Sequence, residues 1–152
     1  MSQFQDFLNK LKRKETKVTM DGSILAHLSE RIVGEVLSRK ETAVVGLLGL
    51  AFKENVSDIR NSSSIKLLKL LASEIHDVIV YDPLVAESFV AEKPDSIDDF
   101  LKSSKIVVLC VGHNQILDEL KSKDLSEKVF FDPRNMLPEL KSKVEKYVGL
   151  SI

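Results

Sequence analysis

The stretch AVVGLLGLAFKENVSDIR, residues 43–60, changes abruptly from apolar to charged residues. Its first part, residues 43–50, is almost continuously apolar, which is typical of a strand covered on both faces of a parallel sheet. The chain then turns within a few residues into Lys53, Asp58 and Arg60. Two interpretations of this charged loop are open: a solvated turn in which Arg60 pairs with Asp58, or a site for an anionic ligand.

Further apolar runs follow the first one and alternate with stretches of helical period. They cover residues 78–81, 106–111 and 129–131, with further candidates at 144–148 and, briefly, at 89–91. This alternation predicts βαβ units. We expect an α/β fold, a Rossmann-like three-layer sandwich with a parallel sheet of five or six strands, preceded by an N-terminal helical segment. With the brief run counted as the third strand, the expected order is 3-2-1-4-5.

Three stretches between these runs carry helix signals. The serines at 62–64 precede apolar residues at positions 65, 68, 71 and 75, which indicates a capped amphipathic helix. Asp95 and Ser96 precede a second helix, and residues 115–120 form a shorter third candidate. Helices of this kind are expected to cover the two faces of the sheet.

The chain divides into an N-terminal helical segment, residues 1–42, and the sheet domain, residues 43–152. Apolar residues at positions 4, 7, 8 and 11 predict a first short amphipathic helix. A second helix is expected over residues 23–38, with Asp21 or Ser23 as its N-cap. Its apolar positions are Leu25, Leu28, Ile32 and Val36. Such a stripe has to be covered, either by the domain that follows or by another subunit.

The composition of the chain excludes several classes of protein. Of its 152 residues, 43% are hydrophobic and 30% are charged, which is ordinary for a globular protein with a real core. The 22 Lys and Arg residues are balanced by 23 Asp and Glu residues, so neither nucleic acid nor an anionic membrane is expected as a partner. No apolar run approaches about 20 residues, and the first residues lack the basic and apolar pattern of a signal peptide, so we expect neither a membrane span nor a secretory signal. A single cysteine forms no internal disulfide, and we expect a cytoplasmic location.

The loops that follow the predicted strands carry the candidate site residues. Ligands of open parallel sheets bind outside the carboxyl ends of the strands, near the point where strand order reverses. The expected order brings Lys53, His113 and Arg134 to this one rim. The three cations Lys53, Arg60 and Arg134 could anchor a diphosphate, since charge-assisted hydrogen bonds contribute on the order of 1.5–3 kcal/mol each. For Lys53, Arg60 and Arg134 alike, a solvated turn remains the alternative.

Several other residues have more ordinary interpretations. Residues 46–49 read GLLG and do not supply the G-x-G-x-x-G turn, so we reject a self-contained dinucleotide site and expect these glycines to allow close packing. Cys110, within an apolar strand, is expected to be a small buried hydrophobe. Asp82 is expected to cap a strand end or form a turn. His113 is expected to be structural or solvent-exposed, with contact to a ligand as the alternative, and no metal motif is seen.

Four motifs in one order resemble the C-terminal, UDP-binding domain of the UDP-glucose/GDP-mannose dehydrogenase family. They are GLAFKENVSDIRNSSS (49–64), VIVYDP (78–83), IVVLCVGHNQI (106–116) and FDPRNML (131–137). The third motif carries a His, and in this respect it resembles the UDP-N-acetylmannosamine dehydrogenase branch, where a His is common at this position. The UDP-glucose branch commonly has Trp there. Departures from the family pattern at Glu54, Val56, Ser57 and Ser63 affect loop rigidity more than charge.

The resemblance implies a function. Members of this family use NAD to oxidise the C6 alcohol of a nucleotide sugar to a uronic acid in two steps, in polysaccharide biosynthesis. By motif position, Phe52, Lys53 and Arg134 would contact the UDP-sugar substrate, and Arg60 would reach NAD. The NAD itself would be bound mainly by a domain absent from this chain. Residues 20–42 would match the end of the family's central helical region.

The resemblance also sets a limit on activity. The family's NAD fingerprint and its catalytic cysteine element are absent from the sequence, so this chain alone is expected not to oxidise a substrate. It could be a fragment, a truncated gene product or a subunit that works with an NAD-binding catalytic domain or companion chain. A homodimer through the N-terminal helix is also expected. The alternative function is a non-catalytic Rossmann-like interaction or dimerisation module.

Overall fold

A computed structural model describes residues 20–39, 42–75, 77–86 and 93–149. The predicted helix over residues 4–11 and the predicted brief strand at 89–91 lie outside these ranges. The described helices are α1 (Met20–Leu37), α2 (Ser63–Ala72), α3 (Ile97–Ser103), α4 (Asn114–Lys121) and a 3-10 helix (Pro138–Ser142). The described strands are β1 (Val45–Leu48), β2 (Val78–Tyr81), β3 (Ile106–Leu109), β4 (Val129–Asp132) and β5 (Lys146–Gly149).

The five strands form one parallel sheet in the order β2-β1-β3-β4-β5. Val45 pairs with Val78 on one side and with Ile106 on the other, so β1 is an interior strand, and all four of its residues are buried. The chain runs outward from β1 to β2 and then crosses back to β3. This reversal confirms the predicted Rossmann-like fold and places the switch point between β1 and β3.

Helices cover both faces of the sheet, as the alternating pattern predicts. The crossovers from β1 to β2 and from β2 to β3 run in opposite directions, and right-handed connections therefore place α2 and α3 on opposite faces. The helices α3 and α4 and the 3-10 helix pack in one apolar cluster, and α2 packs in the other. None of the described crossover segments therefore covers β4 and β5 on the α2 side.

The N-terminal helix α1 covers that part of the sheet. Leu28 and Ile32 are 2% and 0% exposed and belong to the same apolar cluster as Phe131 of β4 and Val148 of β5. The sequence left open whether the apolar stripe of this helix is buried by the domain or by another subunit. The structure shows that the domain itself buries Leu28 and Ile32. Burial of such side chains stabilises a fold by about 1.5–3 kcal/mol each.

The helix boundaries confirm two predicted caps and correct a third. Ser62 and Ser96 each accept a hydrogen bond from a backbone N–H three residues later, as N-caps do. The prediction of Asp21 or Ser23 as the cap of α1 is wrong, because the helix already includes Met20. The helix includes a residue before both candidate caps, because a short polar side chain does not by itself fix where a helix begins.

Ion pairs join the end of α1 to the start of β5. The Glu35 carboxylate lies 2.7 Å from Lys146 Nζ, and Arg39 Nη2 lies 2.9 Å from Glu145 Oε2. Exposed pairs of this kind contribute about 0–1 kcal/mol each, so apolar packing is the main stabilising term for α1. Within the described ranges, no helix has both the length and the hydropathy needed to cross a bilayer.

Candidate functional site

Loops that follow β1 and β4 meet at the carboxyl edge of the sheet. Arg134, directly after β4, has its Nη1 3.8 Å from Oε1 of Glu54 in the β1–α2 loop. Both side chains are 47% exposed, so the contact lies at the surface. Lys53 is the neighbour of Glu54 in this loop. The structure thus brings the loop of Lys53 beside Arg134, although β3 lies between their strands.

A glycine at the end of β1 allows this loop to leave the sheet. Gly49 has a φ of +92°, a conformation that L side chains rarely adopt. A Cβ at this position would lie 2.6 Å from Cβ of Val111. The expectation that the glycines of this strand allow close packing is confirmed at Gly49.

Asp82, at the end of β2, holds the first residues of the loop. Its carboxylate accepts hydrogen bonds from the backbone N–H groups of Leu50 and Ala51, with N···O distances of 2.7 and 3.1 Å. It also accepts from the N–H of Leu84, which closes the turn after β2. Asp82 is 1% exposed. Its predicted role as a strand-end cap and turn former is confirmed, and no ribose is needed to explain it.

His113 is fully buried and links three segments. Its Nδ1 accepts the backbone N–H of Asn55 at 2.8 Å, and its Nε2 lies 2.9 Å from Asp82 Oδ2. Because Nδ1 accepts a hydrogen bond, the ring proton belongs on Nε2, which donates it to Asp82. The ring thus has the structural role that the sequence favoured, and its buried atoms are not presented to a ligand at the rim.

Phe52 and Lys53 project from the part of the loop between the residues held by Asp82 and the residue held by His113. Phe52 is 43% exposed, and Lys53 Nζ lies 5.6 Å from the centroid of its ring. A cation–π contact at an exposed site contributes about 0.5–1 kcal/mol, which is weak enough for the ammonium to move to a ligand. The Phe52 N–H donates to the carbonyl of Asp58 at 2.8 Å, which closes the loop on itself.

Arg60 forms a two-pronged ion pair with Asp58. Its Nε and Nη2 both lie within 3.1 Å of the carboxylate, and its side chain is 86% exposed. The pairing considered in the sequence is therefore present. These hydrogen bonds hold the pKa of Asp58 at about 2. Arg60 remains accessible at the surface, with its fork already oriented.

A second buried carboxylate shapes the loop that carries Arg134. Asp132 accepts hydrogen bonds from the N–H groups of Met136 and Leu137 and from the Tyr147 hydroxyl, at 2.7–2.9 Å. Burial, followed by the hydrogen bond to Asp132, raises the pKa of Tyr147. Asn135 adopts a φ of +53°, so the loop turns sharply directly after Arg134.

The sequence reasoning missed the roles of Asn55 and Asp132. Asn55 has a φ of +60°, and its side-chain oxygen accepts the N–H of Asn114 at 3.0 Å. Asparagine is one of the few residues that tolerate this conformation, and that preference was the available signal. For Asp132, the signal was a carboxylate placed directly after an apolar strand.

A cleft of about 160 Å³ opens between α1 and α2 and reaches Arg134. Leu28, Leu67, Ser63 and Cys110 are among its lining residues. Burial raises the pKa of the Cys110 thiol to about 12, which confirms the expectation of a small buried hydrophobe rather than a nucleophile. Among the described residues, no group of three or more His, Cys, Asp or Glu side chains is arranged to hold a metal ion.

The described fold and its rim define a Rossmann-like α/β domain that presents cations at the carboxyl edge of its sheet, with a charged loop after β1 where a glycine-rich dinucleotide turn would stand. The chain belongs to the UDP-glucose/GDP-mannose dehydrogenase family, since the profile of that family's UDP binding domain matches residues 46–139. The resemblance stated from the four motifs is confirmed.

Comparison with known proteins agrees with this assignment. UDP-N-acetyl-D-mannosamine dehydrogenase of Methanococcus vannielii is 35% identical over 104 residues, which cover 64% of this chain and 24% of that protein. The enzyme of the same name from Pyrococcus horikoshii is 27% identical over 100 residues, covering 64% and 23%. Both carry the name of the branch that the sequence favoured.

The fold itself recurs in a solved structure of the family. A UDP-glucose dehydrogenase from Pyrobaculum islandicum superposes with a TM-score of 0.66 at 24% identity, over 84% of this chain and 30% of that one. The chain thus spans about a quarter of the length of the curated relatives named above and under a third of this structure.

Proposed function

We propose that this chain is the nucleotide-sugar-binding part of an NAD-dependent nucleotide-sugar 6-dehydrogenase, and that UDP-sugar binds at the carboxyl rim. The observation that carries the proposal is the contact between Arg134 and Glu54, which joins the two cation-bearing loops. Such a rim suits a diphosphate, because the planar Arg fork and the compact Lys ammonium can each pair with part of its negative charge.

Each rim residue has a distinct role in this proposal. Lys53 and Arg134 bind the diphosphate, and the exposed ring of Phe52 supplies an apolar contact for the nucleotide sugar. Glu54 lies 3.8 Å from Arg134, and Arg134 would exchange this carboxylate for the phosphate when the ligand binds. The domain binds and orients the substrate.

The described residues do not fit a self-contained site for NAD. The turn after β1 packs against Val111 at Gly49, and a charged loop replaces the glycine-rich turn that would cradle a dinucleotide pyrophosphate. We therefore assign the binding of NAD, and with it the hydride chemistry, to a separate catalytic domain or companion chain. Arg60 is the residue that would contact that cofactor across the cleft between them.

Affinity for UDP tests the proposal directly. Lys53→Ala and Arg134→Ala should each weaken UDP binding about tenfold to a hundredfold, as expected for the loss of one charge-assisted contact. Isothermal titration calorimetry or NMR titration of the full chain gives the measurement. Lys102→Ala is the matched control, because this exposed Lys lies in the last turn of α3, at the opposite edge. Absence of UDP binding at millimolar ligand would overturn the proposal.

A homodimer through the N-terminal helix remains part of the proposal in a narrower form. Leu28 and Ile32 are buried within the chain, so a partner copy would have to use the outer face of α1. Among the described side chains of that helix, Leu37 is a large apolar one that is 78% exposed. Sedimentation of the full chain and of Leu37→Asp would test this surface.

A further inference from the structure

We propose that His113 is a positioning residue for the nucleotide-binding loop: it holds the Asn55 amide so that Phe52 and Lys53 are presented at the rim. The inference rests on the proposed function for its effect on UDP binding. The positioning of the loop by His113 is a separate claim that does not depend on UDP binding. His113 would act through the loop backbone and would not touch the ligand.

The exposed part of the loop is suspended between two anchors. On one side, Asp82 accepts hydrogen bonds from the amides of Leu50 and Ala51. On the other side, His113 Nδ1 accepts the amide of Asn55 at 2.8 Å. The three residues between these anchors, 52–54, are all exposed and include two of the three proposed ligand contacts, Phe52 and Lys53.

Asn55 is connected to the turn after β3 by its backbone and by its side chain. Its N–H donates to His113, and its Oδ1 accepts the N–H of Asn114 at 3.0 Å. Its φ of +60° places the two groups so that both reach the same turn. The loop after β1 is therefore fastened to the loop after β3 at one residue.

The imidazole of His113 joins the two anchors into one unit. Its Nε2 donates to Asp82 Oδ2, the oxygen that also accepts the amides of Leu50 and Ala51. The ring is 0% exposed, so water does not compete for either nitrogen. Only the tautomer with its proton on Nε2 satisfies both contacts, and this fixes the orientation of the ring.

A loop held in place before binding loses less conformational entropy when the ligand arrives. Ordering a mobile loop at an interface costs free energy that is subtracted from the affinity. The hydrogen bond from Asn55 to Nδ1 would lower this cost for Phe52 and Lys53. Without that bond, the loop keeps the Asp82 anchor, the Phe52–Asp58 hydrogen bond and the Asn55–Asn114 contact, but it loses its link to the buried ring.

Two substitutions separate the two hydrogen bonds of the ring. In His113→Asn, the side-chain oxygen can take the place of Nδ1 and accept the Asn55 amide, while the bond to Asp82 is lost. In His113→Gln, the amide nitrogen can take the place of Nε2 and donate to Asp82, while the acceptor for Asn55 is lost. Both variants lose the packing of the ring, so this loss does not contribute to the difference between them.

The expected result is a split between these variants. His113→Gln should bind UDP about tenfold more weakly than the wild type, the effect of one lost hydrogen bond, whereas His113→Asn should stay within about threefold. Hydrogen exchange at the Asn55 amide should be faster in His113→Gln than in His113→Asn. His27→Gln, on the exposed face of α1, is the control and should leave both measurements unchanged.

The measurements distinguish failure of this inference from failure of the proposed function. If the wild type does not bind UDP, the proposed function fails, and amide exchange alone decides whether His113 positions the loop. Equal exchange at Asn55 in the two variants, or equal loss of UDP affinity, would overturn the inference. Should both variants unfold, the wild type decides: a scalar coupling across the Asn55 N–H···Nδ1 bond supports the inference, and its absence refutes it.

Discussion

Two aspartates at the ends of strands show how single residues shape this rim. Asp82 follows β2 and Asp132 ends β4, and each uses its carboxylate to accept backbone N–H groups from a following or neighbouring loop. Both are almost fully buried. A buried carboxylate is stable only when its oxygens are well satisfied, so each acts as a fixed centre around which a loop folds.

Arg60 and Asp58 make a prediction at the same scale. Arg60→Gln should raise the pKa of Asp58 from about 2 toward its usual 3.8, because the largest cause of the depression is the side-chain hydrogen bond from Arg60. NMR titration of the Asp58 carboxyl group measures this change. An unchanged value in the variant would show that the guanidinium does not hold the carboxylate.

The sign of the associated pH effect follows from the direction of the shift. The pKa of Asp58 is lower in the folded chain than in the unfolded chain, so the pair stabilises the fold above the unfolded value. That contribution is lost as the pH falls from near 3.8 toward 2. The Asp58 carboxylate is therefore charged, and able to pair with Arg60, throughout the neutral range.

At the scale of elements, α1 is part of the core. Its residues Leu28 and Ile32 complete the apolar layer over β4 and β5, a region that the described crossover segments leave uncovered. The topology explains the need for this helix. After the switch point the described connections all pass over the other face, so the α1 side requires cover from elsewhere in the chain.

Truncation of the α1 stripe should therefore destabilise the whole domain. Ile32→Ala should lower the free energy of unfolding by about 2–5 kcal/mol, the usual cost of removing a large aliphatic side chain from a packed core. Urea unfolding followed by circular dichroism gives the value. Arg31→Ala, one residue earlier on the exposed face, is the control and should change stability by less than about 0.5 kcal/mol.

At the scale of the whole molecule, α1 and the described part of the sheet domain form one packing unit. The sequence divides the chain at residue 42, where the apolar pattern changes. The packing of α1 on the sheet, together with the ion pairs from Glu35 and Arg39 to the start of β5, crosses that division. We propose that α1 and residues 43–152 fold together.

A chain that begins at residue 43 tests this proposal. Without α1, the apolar surface of β4 and β5 would be exposed to water, and a domain of this size is stable by only about 5–15 kcal/mol in total. We expect the truncated chain to lose its cooperative thermal transition and to bind a hydrophobic dye. The full chain is the reference, and an equally sharp transition at the same temperature in both would contradict the proposal.

Strands and helix caps could be predicted from the sequence because they depend mainly on residues close together in the chain. Strand β2 was predicted at its observed bounds, Val78–Tyr81, since a short β-branched run between turn signals permits few alternatives. The cap at Ser62 was likewise visible. The start of α1 was misplaced, because helix ends depend on neighbouring backbone as well as on a capping side chain.

The parallel sheet, its switch point and the family were all predictable before the fold was known, because apolar period and motif order are written along the chain. It also predicted that Lys53 and Arg134 approach the same rim, since parallel strands share a carboxyl edge. Two features came from packing in three dimensions: α1 is covered by its own domain, and His113 joins Asn55 to Asp82. These contacts connect segments far apart in sequence, and they depend on packing and hydrogen-bond geometry that no local pattern specifies.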